Sequence, residues 1–248
     1  MDDALLSTLP NLKVVSNYGV GVDQCVRPQT SDHTHTRVLL PFCSIDRVAC
    51  RARGIPVGNT PNVLSDATAD MAWALLMAAA RRVVTADAYA RSAAFTKYDN
   101  MIFLGKDVTG ATLGIVGMGR IGAEVARRAS GFKMKVLYCN RTRRPAADEA
   151  ELRAEFVPKE RLLAEADYVV LVCPLTSETR HFIDADALKL MKQDAVLVNV
   201  ARGGVVDTDA LFDALRRNTI GAAGLDVRPQ TSNVSTLCIP SCKDVASC

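Results

Sequence analysis

An α/β fold, a doubly wound parallel sheet beside a second, truncated α/β domain, is predicted by three observations. Between residues 110 and 227, short runs of Val, Ile and Leu alternate with helical segments. The runs are continuously apolar rather than alternating, as strands buried on both faces must be. A glycine-rich turn, "GMGRIG", leads from the first of these strands into the first helix.

In chain order, "NLKVVS" reads as a short strand, Leu12 to Ser16, running into the glycine-bearing loop "NYGVGVD". A second short strand lies in "GIPVGNTP" and stops at Pro61. "LSDATADMAWALLMAAARRVV" predicts one long helix over 66–83, with Ser65 or Asp66 as N-cap. Its Met71, Trp73, Leu75, Leu76 and Met77 point in different directions, so burial on more than one side is expected, by a second layer or a partner subunit. Thereafter strands in "ATLGIVGMG", "MKVLYCN", "DYVVLVCP", "DAVLVNVA" and "IGAAGLDV" are separated by helices in "IGAEVARRAS", "KERLLAEA", "DADALKLM" and "DTDALFDALRR". The pattern stops at Val227. The hexapeptide VRPQTS occurs twice, at Val26 to Ser31 and Val227 to Ser232. Segments 24–44 and 228–248, which it opens, lack either period and are rich in turn-forming residues, so irregular structure is expected there.

Composition narrows the function. The 248 residues are 49% hydrophobic and 23% charged, enough for a sizeable core, and the net charge is only +3. Without a Lys/Arg block interleaved with aromatics, no nucleic-acid partner is expected. The longest apolar run, "MAWALLMAAA", is about half of a membrane span, and the acidic start "MDDALLSTLP" is unlike a signal peptide, so no membrane role and a cytoplasmic location are expected. Of eight cysteines, Cys50, Cys139 and Cys173 sit in apolar segments as buried thiols do. Cys25, His33, His35 and Cys43 are close in sequence, but their spacing matches no standard ligand pattern and no metal is assigned.

The chemistry centres on Gly117, Gly119 and Gly122, a G-x-G-x-x-G on a strand-to-helix turn. Gly117 allows the turn, Gly119 lets backbone approach a pyrophosphate, and Gly122 packs the helix on the strand, while the helix N-terminus faces the anion. An NAD site places an acid at the end of the next strand; here that strand ends in Asn140, followed by Arg141, Thr142, Arg143 and Arg144. Guanidinium forks pair with phosphate oxygens, which favours NADP over NAD. A solvated basic loop is the alternative.

"SNYGVGVD", "RGIPVGNTPNVLSDATADMAWALLMAAAR", "TLGIVGMGRIG", "LVCPLTSETRHFI" and "LVNVARGGVVDTDAL" with "AAGLDV" resemble the D-isomer-specific 2-hydroxyacid dehydrogenases, and within them the NADP-preferring glyoxylate and hydroxypyruvate reductases. The resemblance covers about residues 10–23 and 45–227. It implies reduction of a small 2-oxo acid, or oxidation of the 2-hydroxy acid, and a homodimer. It implies that Val20 and Gly21 hold the substrate carboxylate through backbone amides, and that Arg202 grips that carboxylate and polarises the keto oxygen. Arg120 and Ile121 match the pyrophosphate loop, and Cys173 and Pro174 the loop over the cofactor. Asp226 matches a residue near the nicotinamide amide, with a strand-end turn residue as the alternative.

The pattern then fails. The family's catalytic Glu and proton-donating His have no counterpart after "GLDV", and the three histidines are His33, His35 and His181. Two early strands and the last strand with its closing helix also lack counterparts. The expected organisation is a truncated substrate-side domain over 1–65 with a non-family insertion at 24–44, a dinucleotide domain over 66–227 and a non-family tail at 228–248. Val-Arg can be encoded by a sequence similar to a splice donor, so both VRPQTS segments read as translated intron or repeat sequence, a lineage-specific insertion and tail being the alternative. Impaired turnover is therefore expected, with a non-catalytic NADP-binding protein or a defective splice product as alternatives.

Overall fold

The structure, a computed structural model, describes residues 3–16, 45–60, 62–99 and 101–227. The expectations for segments 24–44 and 228–248, and for Val20 and Gly21, lie outside the described residues. The chain divides into two compact units between Leu64 and Ser65.

The first unit holds α1 (Asp3–Ser7), β1 (Val15–Ser16), α2 (Arg47–Ala52) and β2 (Val57–Gly58). The strand expected over 12–16 is reduced to two residues, because its parallel partner offers only Val57 and Gly58. Asp46 caps α2, its carboxylate accepting from the Val48 and Ala49 N–H groups at 3.0 and 2.9 Å. Leu6, Val15 and Cys50 form a small buried core.

The second unit opens with α3 (Ser65–Ala80) and α4 (Val83–Ala90). The single helix expected over 66–83 is thus two. The Ala80 carbonyl accepts from the Lys106 N–H at 2.9 Å, and Arg82 takes a left-handed conformation at φ 55°. A segment remote in sequence ends the helix, which no local period could signal. The face of α3 carrying Ala69, Ala72, Trp73, Leu76 and Ala80 is buried, at helical spacing. Leu75, Met77 and Ala79 flank it half-buried, and Met71 is exposed. Trp73 stacks on Phe132 with centroids 4.7 Å apart and donates from Nε1 to the Val125 carbonyl at 3.2 Å.

There follow β3 (Thr112–Val116), α5 (Arg120–Ala129), β4 (Lys135–Cys139), α6 (Ala146–Leu152), β5 (Ala154–Phe156), α7 (Lys159–Glu165), β6 (Tyr168–Leu171), α8 (Ala185–Leu190), β7 (Val196–Asn199), α9 (Thr208–Arg216) and β8 (Ala222–Leu225). The strands form one sheet in the order β5-β4-β3-β6-β7-β8, parallel throughout. This is the doubly wound fold expected. The pair α6 and β5 was not expected: α6 buries only Leu152, and β5 is three residues long, so neither carries a readable apolar pattern.

Side chains alternate between two cores, one on each face. Leu113, Ile115, Val136 and Val198 join α3 and α5 on one side; Val116, Leu137, Leu171 and Leu197 join α7, α8 and α9 on the other. At the amino ends of the strands, the Asp167 carboxylate accepts from the Thr112 N–H at 2.9 Å, from Lys106 at 3.1 Å and from Lys192 at 2.9 Å. The strand order reverses between β3 and β6, and in open α/β sheets the crevice at the carboxyl ends of such strands is where ligands bind.

Candidate functional site

The sequence-nominated residues of the second unit follow the carboxyl ends of strands: Gly117 after β3, Asn140 after β4, Cys173 after β6, Arg202 after β7 and Asp226 after β8. Each glycine of the β3–α5 turn has its own physical reason. Gly117 sits at φ 102°, and a Cβ there would lie 2.7 Å from the Cys173 nitrogen. A Cβ on Gly122 would run into the Gly117 carbonyl oxygen and approach Ile115 Cγ2 at 3.3 Å, so helix and strand pack backbone to backbone. At Gly119, which caps α5, a Cβ would meet nothing within 4 Å. That position is open, and it adjoins the first turn of α5, where the Arg120, Ile121 and Gly122 N–H groups precede the first bond of the helix, Ala123 N–H to the Gly119 carbonyl at 3.0 Å. Open space beside unspent N–H donors at a helix N-terminus suits a pyrophosphate.

The three arginines expected beside it are not equivalent. Arg143 pairs with Glu149 through Nε and Nη2 at 2.9 and 2.8 Å. With the hydroxyl of buried Tyr138 donating to the same carboxylate at 2.6 Å, Arg143 first and Tyr138 second hold the Glu149 carboxyl down at about 2. Arg144 pairs with Asp148 and reaches the Met118 carbonyl, 2.9 Å from Nη1. Asn140 Oδ1 accepts from the Met118 N–H at 2.6 Å. Arg141 and Thr142 are exposed, and among the described residues Arg141 has no ion-pair partner.

Cys173 and Cys139 are both buried at this turn, and the Gly117 N–H donates to the Cys139 carbonyl at 3.0 Å. Burial pushes the Cys173 thiol up to about 11, and burial followed by the neighbouring Cys173 pushes Cys139 up to about 12. Neither is a thiolate near neutrality, so neither is a nucleophile. The Pro174 carbonyl accepts from Thr179 Oγ1 at 2.6 Å, closing that loop on itself.

After β7, Arg202 is extended and half-buried, with Nη1 donating to the Ala201 carbonyl at 2.8 Å. Its backbone is placed by a residue the motif reading passed over. Asn199, at 1% exposure, is the one buried polar side chain among the described residues. Its Oδ1 accepts from the Ala201 N–H and its Nδ2 donates to the Arg202 carbonyl, both at 3.0 Å, while its own carbonyl accepts from the Asp226 N–H at 3.0 Å. Arg202 and Asp226 are therefore tied to one residue. A polar side chain ending the apolar run "VLVN" was the available signal. His181 lies at φ 50°, donates its N–H to the Gly204 carbonyl at 2.9 Å and holds Nδ1 4.0 Å from Asp207. Among the described residues no helix is long and apolar enough to cross a membrane, and no three His, Cys, Asp or Glu side chains cluster to hold a metal.

Residues 73–241 match the family model of the D-isomer specific 2-hydroxyacid dehydrogenase NAD binding domain. The chain is 49% identical over 231 residues to a glyoxylate reductase of Thermococcus onnurineus, covering 92% of this chain and 63% of that protein. It thus spans less than two thirds of the length of such relatives. Among solved structures, a Thermus thermophilus protein aligns with a TM-score of 0.80 and 42% identity over 95% of this chain and 68% of that one. A D-lactate dehydrogenase from Aquifex aeolicus, complexed with NAD and lactic acid, aligns with a TM-score of 0.76 and 31% identity over 93% of this chain and 62% of that one.

Proposed function

The chain belongs to the D-isomer specific 2-hydroxyacid dehydrogenase family, and on that premise we propose that it binds NADPH and reduces a small 2-oxo acid, glyoxylate or hydroxypyruvate, with impaired turnover. The observation that carries this reading is the open cradle at Gly119 beside the first turn of α5, on the same sheet edge as Arg202. The bound cofactor would supply the hydride. The Gly117, Gly119 and Gly122 turn with Arg120 and Ile121 would hold its pyrophosphate, Asn140, Arg141 and Thr142 its adenosine ribose, and Cys173, Pro174 and Asp226 its nicotinamide end. Arg202 would present a planar fork of N–H donors to the substrate carboxylate and draw electron density from the keto oxygen; Val20 and Gly21, outside the described residues, keep the carboxylate role that the family resemblance implies. Preference for NADPH rests on a strand end with Asn140 in place of an acid and on unpaired Arg141 next to it. The glyoxylate reductase relative supports the substrate class.

The impairment rests on the proton. Reducing a ketone needs a hydride at carbon and a proton at oxygen, and residues 228–248, which follow "GLDV" here, contain neither Glu nor His. A positioned acid contributes about 10² to 10⁴ in rate. Residues 66–227 act as the dinucleotide domain, and a homodimer forms through α3. The same loss favours a second reading, an NADP-binding protein without turnover. Titrating the purified 248-residue chain with NADPH and NADH, then following NADPH oxidation with glyoxylate, tests both. Failure to bind either nucleotide removes both readings.

A further inference from the structure

Met118 stands between the turn at Gly117 and the cap at Gly119, and its main chain is held on both sides. Its N–H donates to Asn140 Oδ1 at 2.6 Å; its carbonyl accepts from Arg144 Nη1 at 2.9 Å and from Asn140 Nδ2 at 3.4 Å. The Met118 side chain is itself buried, so the peptide cannot shift without moving core. Arg144 has little freedom to leave. Its Nε and Nη2 donate to Asp148 Oδ2 at 3.1 and 2.7 Å, and its backbone N–H donates to the Tyr138 hydroxyl at 2.9 Å. Reaching a phosphate would cost Arg144 both its Met118 and its Asp148 bonds. Arg143 is likewise committed, through two bonds to Glu149. Arg141 is exposed and has no hydrogen bond or ion pair among the described residues.

We infer that Arg144 and Asn140 are positioning residues that brace Met118 and thereby set the pyrophosphate loop, while Arg141 keeps the phosphate role already proposed for it. A loop that must present backbone N–H groups to an anion works only if it is held before the anion arrives, and Met118 is where this loop is held. The inference rests on the reading of this edge as an NADPH site, and the test separates the two.

Arg141→Ala, Arg143→Ala and Arg144→Gln are compared by fluorescence titration with NADPH and NADH, and by amide exchange of residues 113–119 in cofactor-free protein. Arg141→Ala should weaken NADPH about ten- to a hundredfold, leave NADH nearly unchanged and leave loop exchange unchanged, as loss of one charge-assisted contact to the phosphate does. Arg144→Gln should weaken both nucleotides equally, about three- to tenfold, and speed exchange of the loop by a similar factor. Arg143→Ala should do neither. If Arg144→Gln lowers NADPH affinity selectively, Arg144 contacts the phosphate and the division is wrong. If it changes neither affinity nor exchange, there is no brace. Should Arg144→Gln not accumulate as folded protein, Asn140→Ser removes the other bonds to Met118 and carries the same expectation in exchange. Wild-type protein that binds neither nucleotide would overturn the Arg141 half with the cofactor reading, and exchange alone then decides the brace.

Discussion

Gly117 and Cys173 approach so closely that a methyl group on the first would lie 2.7 Å from the nitrogen and 2.8 Å from the Cα of the second. The contact joins the turn after β3 to the loop after β6, across the point where the strand order reverses. Gly117→Ala would both occupy that space and force a side chain to φ 102°, a conformation that costs about 1–3 kcal/mol by itself. Urea denaturation should show at least that loss. Gly119→Ala is the contrast. Its φ of −88° is ordinary and its Cβ meets nothing, so stability should change by less than about 0.5 kcal/mol while NADPH affinity falls at least about tenfold. Equal effects of the two substitutions on stability would contradict the assignment of Gly119 to the ligand.

Asn199 holds the Arg202 loop. Asn199→Ala would leave the Ala201 N–H without its acceptor and the Arg202 carbonyl with only the Val205 N–H, 3.1 Å away, at a cost of about 1–3 kcal/mol. Denaturation of the variant checks this, and a change below about 0.5 kcal/mol would show that the loop finds other bonds.

Acid stability should depend on Glu149. Its carboxyl is held at about 2, below the ordinary 4.5, by Arg143 and then Tyr138. A group with a lowered folded value stabilises the fold above its unfolded value, and that contribution is lost as pH falls through the folded one. The loss therefore runs from about 4.5 down to about 2. Glu149→Gln should flatten the stability profile in that window alone; a profile identical to wild type would show that the Arg143 pair is broken in solution.

Buried Cys139 and Cys173, with thiols pushed up to about 12 and 11, should resist a disulfide reagent at about pH 8 in folded protein and react once it is unfolded in urea. Rapid labelling of either in the native state would place the turn in solvent.

How much of this was legible in the sequence follows from how local each signal is. The strands from β3 to β8 with apolar runs of four or five residues could be read because burial on both faces leaves a continuous stretch such as "YVVL". The glycine turn could be read because three backbone constraints fall within six residues. The break after α3 could not, since it depends on Lys106 reaching the Ala80 carbonyl. Nor could β5, whose three residues become a strand only by pairing with β4. The arginines after β4 illustrate the same limit. Their number suggested a phosphate site, but which of them is available depends on Asp148 and Glu149, brought near by the unforeseen α6.

Turnover should be slow. With the turn and Arg202 present and neither Glu nor His in residues 228–248, the purified 248-residue chain should reduce glyoxylate and hydroxypyruvate at least about a hundredfold more slowly than an intact relative. Steady-state NADPH oxidation within tenfold of that relative, abolished by Arg202→Ala, would mean that another group delivers the proton.

Direct titration of the folded chain with NADPH and NADH, read by nucleotide fluorescence, bears most directly on the central claim that the edge formed by Gly117, Gly119, Gly122 and Arg141 is an NADPH site. Saturable binding at one site per chain is expected, at least about tenfold tighter for NADPH than for NADH, as one charge-assisted phosphate contact provides. Tighter binding of NADH, or no saturation with either nucleotide, would contradict it.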